Sequence, residues 1–242
     1  MSIFVDLLIS LTKVFSGNLG VTIIFIGVFS RVVFFPLLKS GHKQIKLQRD
    51  LKPQLDAIKK KHKNDRKKQL EEQTKLFQEA GFNPAVGCVS AIVQLVVAII
   101  LLNSLTGLLN AGLNNHFFYW DLGKPDVFHI SGIPFDPPGI LVVLTAVATF
   151  LQSKMMLPEP LPVEKSDSKK EVVEKQDLSE ALTSSQGQLV YLFPIIILFS
   201  GRIFPSGLAL YWLVSTFTGV VQQYYISGLG GLRPWLKILH KS

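Results

Sequence analysis

The residue with the clearest chemical potential is Arg31. It stands in the apolar run Leu19–Leu38, where only Ser30 shares its polarity. At 1.5 Å per helical residue it lies about 18 Å from Leu19 and about 10 Å from Leu38. A guanidinium keeps its charge at physiological pH. Placing it in hydrocarbon costs about 2.5–3.5 kcal/mol or more, so it needs a partner, water or a cavity. No Asp or Glu occurs in any of the long apolar runs to pair with it. Arg31 therefore either snorkels to the inner surface or lines a hydrated cavity. Other polar groups fall at comparable depths: Gln94, Gln152, and then Tyr211, Trp212, Ser215, Thr216 and Thr218. Each alone reads as a helix–helix hydrogen bond. Together with Arg31 they suggest a wet, positively charged groove. Gln222 and Gln223, nearer the end of their run, read as interfacial.

Bond-making chemistry has no comparable support. There is no GxxxxGK[ST] loop, no HExxH and no GxSxG elbow. Cys88 is the only cysteine, so neither an internal disulfide nor a CxxC metal pair can form. His42, His62, His116, His129 and His240 all fall outside the apolar runs and read as solvated. No enzyme, no metal and no cofactor is expected.

The elements that must position Arg31 are helices in lipid. The 242 residues are 48% hydrophobic and 17% charged, with mean hydropathy +0.35 and net charge +8. A soluble domain carries about 25% charge. Five apolar runs of near-spanning length predict an all-α polytopic membrane protein. The expected order begins with an interfacial amphipathic helix over 1–17, retained rather than cleaved, and a first span over 18–38. A cytosolic basic helical hairpin over 39–83 leads to a second span over 84–106. An external loop over 107–138 precedes a third span over 139–157. A flexible cytosolic loop over 158–188 then leads to spans over 189–204 and 205–227, and a short basic tail over 228–242 ends the chain. The segment 39–83 holds thirteen Lys and Arg, whereas the outer segments hold only Lys13, Lys124 and Arg202. The positive-inside bias puts the N-terminus outside and the C-terminus in the cytosol.

Within the hairpin, Leu47, Leu51, Leu55 and Ile58 mark one helical stripe. Asp65 can cap a second arm and Gly81 can end it. Pro53 is expected to bend or start the first arm. Lys52, Lys59, Lys60, Lys61, Arg66, Lys67 and Lys68 are either a solvated face that sets topology or a contact surface. As a surface they would suit anionic headgroups, ribosomal RNA or a nascent chain. Phe117-Phe118-Tyr119-Trp120 in the external loop fits an aromatic belt.

Several motifs then resemble one family in order. They are Gly17-Asn18-Leu19-Gly20, Arg31 with Pro36-Leu37, and Asn83-Pro84-Ala85-Val86-Gly87-Cys88 after the basic hairpin. Trp120-Asp121-Leu122 with Pro125-Asp126, Phe150-Leu151-Gln152-Ser153-Lys154-Met155 and Phe204-Pro205-Ser206-Gly207-Leu208-Ala209-Leu210-Tyr211-Trp212 complete the set. This pattern resembles the YidC/Oxa/Alb membrane protein insertases. The resemblance implies a plasma- or inner-membrane protein with a five-span core and a cytosol-open hydrophilic groove. It implies that Arg31 receives hydrophilic, often acidic, parts of a substrate while the apolar segment slides along the third and fifth spans. The family's groove Gln and aromatic residue fall on Gln152 and Trp212. Gln94 joins them on depth alone, and Tyr211 and Ser215 as neighbours in the fifth span. Nascent membrane proteins and the bilayer are the implied partners, with a ribosome and a Sec-type translocon as further candidates. Two other classes stay open: a small-solute or anion transporter binding through Arg31, and a noncatalytic assembly scaffold binding through the hairpin.

Overall fold

A computed structural model describes residues 2–63, 65–110, 114–130, 132, 135–157 and 190–235. The expected cytosolic loop over 158–188 and the last seven residues of the expected tail lie outside that set. The described chain is mostly helical. Its helices are α1 (Ser2–Val14), α2 (Leu19–Val33), α3 (Phe35–Lys61), α4 (Arg66–Glu79), α5 (Pro84–Asn110), α6 (Ile140–Met156), α7 (Val190–Ser200) and α8 (Ser206–Ser227). A two-residue hairpin, β1 (His116–Phe117) with β2 (Trp120–Asp121), and a 3₁₀ turn at Gly230–Leu232 complete them.

The apolar run 18–38 does not form one straight helix. It breaks at Phe34, and α2 and α3 meet at 68°. Pro36 supplies the cause: it has no N–H to continue the ladder, and its ring opposes the carbonyl four residues back. Proline is tolerated in a first helical turn, where Pro36 now sits. Pro53, by contrast, lies inside α3 and neither starts nor ends it. Asp65 caps α4 by accepting from Lys68 N at 3.1 Å, and Gly81 leaves the helix at φ +66°. Among the described residues no single helix is long and apolar enough to cross a membrane, whereas the bent pair α2–α3 taken together meets the requirement in length and composition alone.

The interior is organised around α8, which packs against α2 on one side and α6 on the other. One apolar cluster joins Leu8, Ile23, Leu101, Leu141, Leu208 and Tyr211. A smaller one holds Val142, Ala146 and Ile197, with Trp212 packed against it. Large apolar side chains also face outward: Phe25 and Phe29 on α2, Leu95 and Ile99 on α5, Val143 and Val147 on α6, Ile195 and Phe199 on α7. Water does not tolerate an apolar surface of that extent, and a bilayer does.

The end of the bundle that holds the starts of α2, α6 and α8 is fastened by polar contacts. Asn18 caps α2 by accepting from Val21 N at 3.1 Å. Leu19 N donates to Asn114 O at 3.1 Å, tying the α1–α2 turn to the loop between α5 and α6. Asp126, buried, caps α6 by accepting from Leu141 N at 2.7 Å and Val142 N at 3.2 Å, while Trp120 Nε1 donates to its other oxygen at 3.0 Å. Ser206 Oγ donates to Asp121 O at 2.8 Å and Ser206 N to Lys124 O at 2.7 Å, which locks the loop to the start of α8. The aromatic run is therefore split. Phe117 presses on Gly20, where a Cβ would come within 2.2 Å of its ring, and Trp120 bonds Asp126. Only Phe118 and Tyr119 are left exposed.

Candidate functional site

Arg31 closes the last turn of α2, one residue pair before the bend, and points into the bundle. It is 5% exposed, so it does not snorkel. Its Nε donates to Ser215 Oγ at 3.0 Å and its Nη2 to Gln94 Oε1 at 3.0 Å. Ser215 Oγ in turn donates to the same Gln94 oxygen at 2.8 Å, so α2, α5 and α8 meet in one triangle. Gln222 Nε2 donates to the carbonyl of Arg31 at 3.0 Å. All these partners are neutral, as the absence of acids in the apolar runs requires.

Gly219 makes the approach possible. A Cβ there would lie 2.5 Å from Gln152 Nε2 and 3.0 Å from both Cζ and Nη1 of Arg31. The glycine thus lets Gln152 of α6 and Arg31 of α2 close on α8 from two sides. Tyr211, 1% exposed, lies one turn before Ser215 and interacts with Ser30 and Ser215. Trp212 points elsewhere: it is half-buried on the α6–α7 side against Val142, Ala146 and Ile197. A step of about 100° per residue separates adjacent positions on a helix, so Tyr211 and Trp212 cannot share a face. The structure brings Arg31, Gln94, Gln152, Tyr211 and Ser215 together and leaves Trp212 out.

The implied groove is not open around Arg31 here. Several side-chain atoms are instead enclosed with no partner among the described residues: Arg31 Nη1, Gln94 Nε2, Thr149 Oγ1 and Gln222 Oε1. Both amide atoms of Gln223 and both ring nitrogens of His42 are in the same position. Three of these residues correct the sequence reading. Gln222 and Gln223 are not interfacial, since Gln222 bonds Arg31 and Gln223 is fully buried. His42 is not solvated: it sits on the inner face of α3 at 3% exposure. The Gly219-to-Gln223 spacing of one turn held the signal for Gln223; nothing local marked His42.

The basic hairpin stands apart from this cluster. Lys61 pairs with Glu72 at 3.1 Å and Lys68 with Asp65 at 3.6 Å. Lys60, Arg66 and Lys67 are exposed, and Lys52 and Lys59 half-buried. Lys59–Lys61 also close the C-terminus of α3, where the helix dipole favours cations. Arg49, further up α3, reaches the other way: Nη1 donates to Met155 O at 3.3 Å and Nη2 to Ser227 O, clasping the ends of α6 and α8. Among the described residues no group of three His, Cys, Asp or Glu side chains could hold a metal.

A helical bundle with large apolar groups outside and one buried arginine-centred polar cluster beside its apolar core fits a membrane protein. The chain belongs to the family described as 60Kd inner membrane protein, the YidC/Oxa family, which it matches over residues 10–230. It is 30% identical over 230 residues to a protein of Fusobacterium nucleatum named membrane protein insertase YidC, covering 94% of this chain and 95% of that protein. It is 29% identical over 222 residues to the protein of the same name from Rickettsia massiliae, covering 87% of this chain. The match spans 36% of the Rickettsia protein's length.

Proposed function

We propose that this protein inserts nascent membrane proteins into the inner or plasma membrane and helps them fold, making and breaking no covalent bonds. The observation that carries the reading is Arg31, a buried cation held only by neutral partners and with Nη1 unpaired. A carboxylate of an entering chain is a better partner than Ser215 or Gln94, because ionised pairs form the stronger hydrogen bonds. An Asp at the centre of a span costs about 2.5–3.5 kcal/mol. A fixed cation partway across offsets part of that barrier.

In this proposal the interior opens toward the cytosol when a polar segment displaces Gln94 and Ser215 from Arg31. The substrate's apolar segment passes into lipid along α6 and α8. Five spans carry the bundle, built from α2 with the start of α3, α5, α6, α7 and α8. The N-terminus is outside and the C-terminus cytosolic. α6 is 17 residues, about 25 Å long, against a hydrocarbon layer of about 30 Å. A short span thins the bilayer locally and reduces the distance a polar segment must cross. Lys52, Lys59, Lys60, Lys61, Arg66, Lys67 and Lys68 recruit the substrate, its ribosome or a Sec-type translocon at the cytosolic mouth.

The test replaces Arg31 by Ala and by Lys in cells depleted of their own insertase. Insertion of single-span substrates with acidic tails is expected to fail with Ala and to survive in part with Lys. Full insertion with Arg31→Ala for every such substrate sinks the role given to the charge. Loss on deleting 47–79 together with a silent Arg31→Ala indicates a scaffold. Solute-dependent flux in proteoliposomes indicates a transporter.

A further inference from the structure

His42 is buried to 3% exposure, yet neither ring nitrogen has a partner among the described residues. A neutral imidazole carries one N–H donor and one acceptor nitrogen. Enclosed polar atoms of this kind are paired in nearly all folded proteins, so both imply a partner that arrives from elsewhere.

The position of the ring fits a route. Leu38, Gly41, His42 and Ile45 form the inner face of α3. Gly41 lies against the α5 backbone, where a Cβ would be 3.2 Å from Val86 O. Arg49, two turns on along the same face, bonds Ser227 O at the end of α8. His42 therefore lies between Arg31 and the cytosolic end of α8. Gln223 occupies the same stretch of α8, fully buried and with both amide atoms unpaired. Two neutral groups that each both donate and accept thus follow one fixed cation.

We propose that His42 is a second contact point for the entering segment, hydrogen-bonding uncharged polar groups that Arg31 does not select. These are backbone amides and the side chains of Ser, Asn and Gln. The inference rests on the insertase reading above and adds a division of labour: Arg31 for acidic tails, His42 with Gln223 for uncharged polar ones.

The test uses the full chain in insertase-depleted cells, with two single-span substrates that differ only in tail. One tail is rich in Asp and Glu, the other in Ser, Asn and Gln. His42→Leu removes both hydrogen-bonding atoms and His42→Gln keeps a donor and an acceptor. The variants are compared at equal membrane levels. His42→Leu is expected to lower insertion of the uncharged tail about five-fold, the worth of about one hydrogen bond, and to leave the acidic tail within about two-fold. His42→Gln is expected to restore it. Equal yields for both tails with His42→Leu overturn the proposal, since the ring then meets only water. Equal losses with both tails, or failure of His42→Gln, also overturn it, because they mark a packing role. Arg31→Ala on the acidic tail is the parallel arm. If it is silent while His42→Leu stays selective, the charge reading fails and the His42 contact stands.

Discussion

Gly219→Ala tests the Arg31 cluster without replacing any of its hydrogen-bonding groups. The added Cβ would stand 2.5 Å from Gln152 Nε2 and 3.0 Å from Arg31 Cζ and Nη1. Comfortable separations for such atoms are about 3.5–4.0 Å, so the Gln152 amide must retreat by about 1 Å and the Arg31 guanidinium by about 0.5 Å. Both are far ends of flexible side chains, so the helices can stay in place. That shift lengthens the 3.0 Å bonds of Arg31 to Ser215 and to Gln94 toward the limit of hydrogen-bonding reach and puts one of them at risk. Overpacking of this size costs about 1–3 kcal/mol. Loss of one bond to a charged group adds about 1.5–3 kcal/mol. Thermal unfolding in detergent should show the stability loss, and insertion of an acidic-tailed substrate should fall alongside it. Gly81→Ala is the control, since it meets nothing within 4 Å and is strained only by its φ of +66°. If Gly219→Ala matches wild type in both assays, the close packing of Arg31 and Gln152 on α8 is not what holds the cluster.

Asp126→Ala removes acceptors from Leu141 N, Val142 N and Trp120 Nε1, and is expected to destabilise by about 1–3 kcal/mol. Hydrogen exchange at the Leu141 and Val142 amides should rise first, and unchanged protection there would refute the cap. Arg49→Ala should free α3 from the ends of α6 and α8, read as faster proteolysis within 39–61; Arg49→Lys, a point charge without the planar fork, should restore little. Hydrogen bonding from Lys124, and less strongly from Gly123 N, holds the Asp121 carboxyl below its ordinary value of 3.8. Its contribution is therefore complete above 3.8 and is lost as pH falls through the folded value. Proteolysis of the α5–α6 loop should increase only in that acidic window, and Asp121→Asn should remove the change.

Much of the helical order was legible because lipid imposes long apolar runs with few interruptions. The expected starts and ends of the 139–157 and 205–227 runs differ from α6 and α8 by a residue or so. Asp65 and Gly81 were readable as helix punctuation because their roles are local. The break at Phe34 was less readable, since Pro36 inside an apolar run is compatible with a kinked span or with two helices. Depth alone singled out Gln94, and depth together with the family resemblance singled out Arg31 and Gln152. It could not identify which way a side chain turns, so Trp212 was grouped with Tyr211 although one residue step rotates it onto α6 and α7. His42 was not marked because it is a polar residue in a largely polar stretch of α3, whose visible apolar stripe begins further on, at Leu47. Only packing against α5 and α8 buries that one face.

The most direct test of the account is photocrosslinking from position 152 to a stalled nascent chain carrying a single apolar span and an acidic tail. Gln152 lies within reach of Arg31 across Gly219, whereas Phe118 is exposed at the tip of the β1–β2 hairpin. The account predicts an adduct between position 152 and the polar tail, lost with Arg31→Ala, and none from position 118 at the same stage. An adduct from position 152 that persists undiminished with Arg31→Ala, or no adduct there at all, would contradict it.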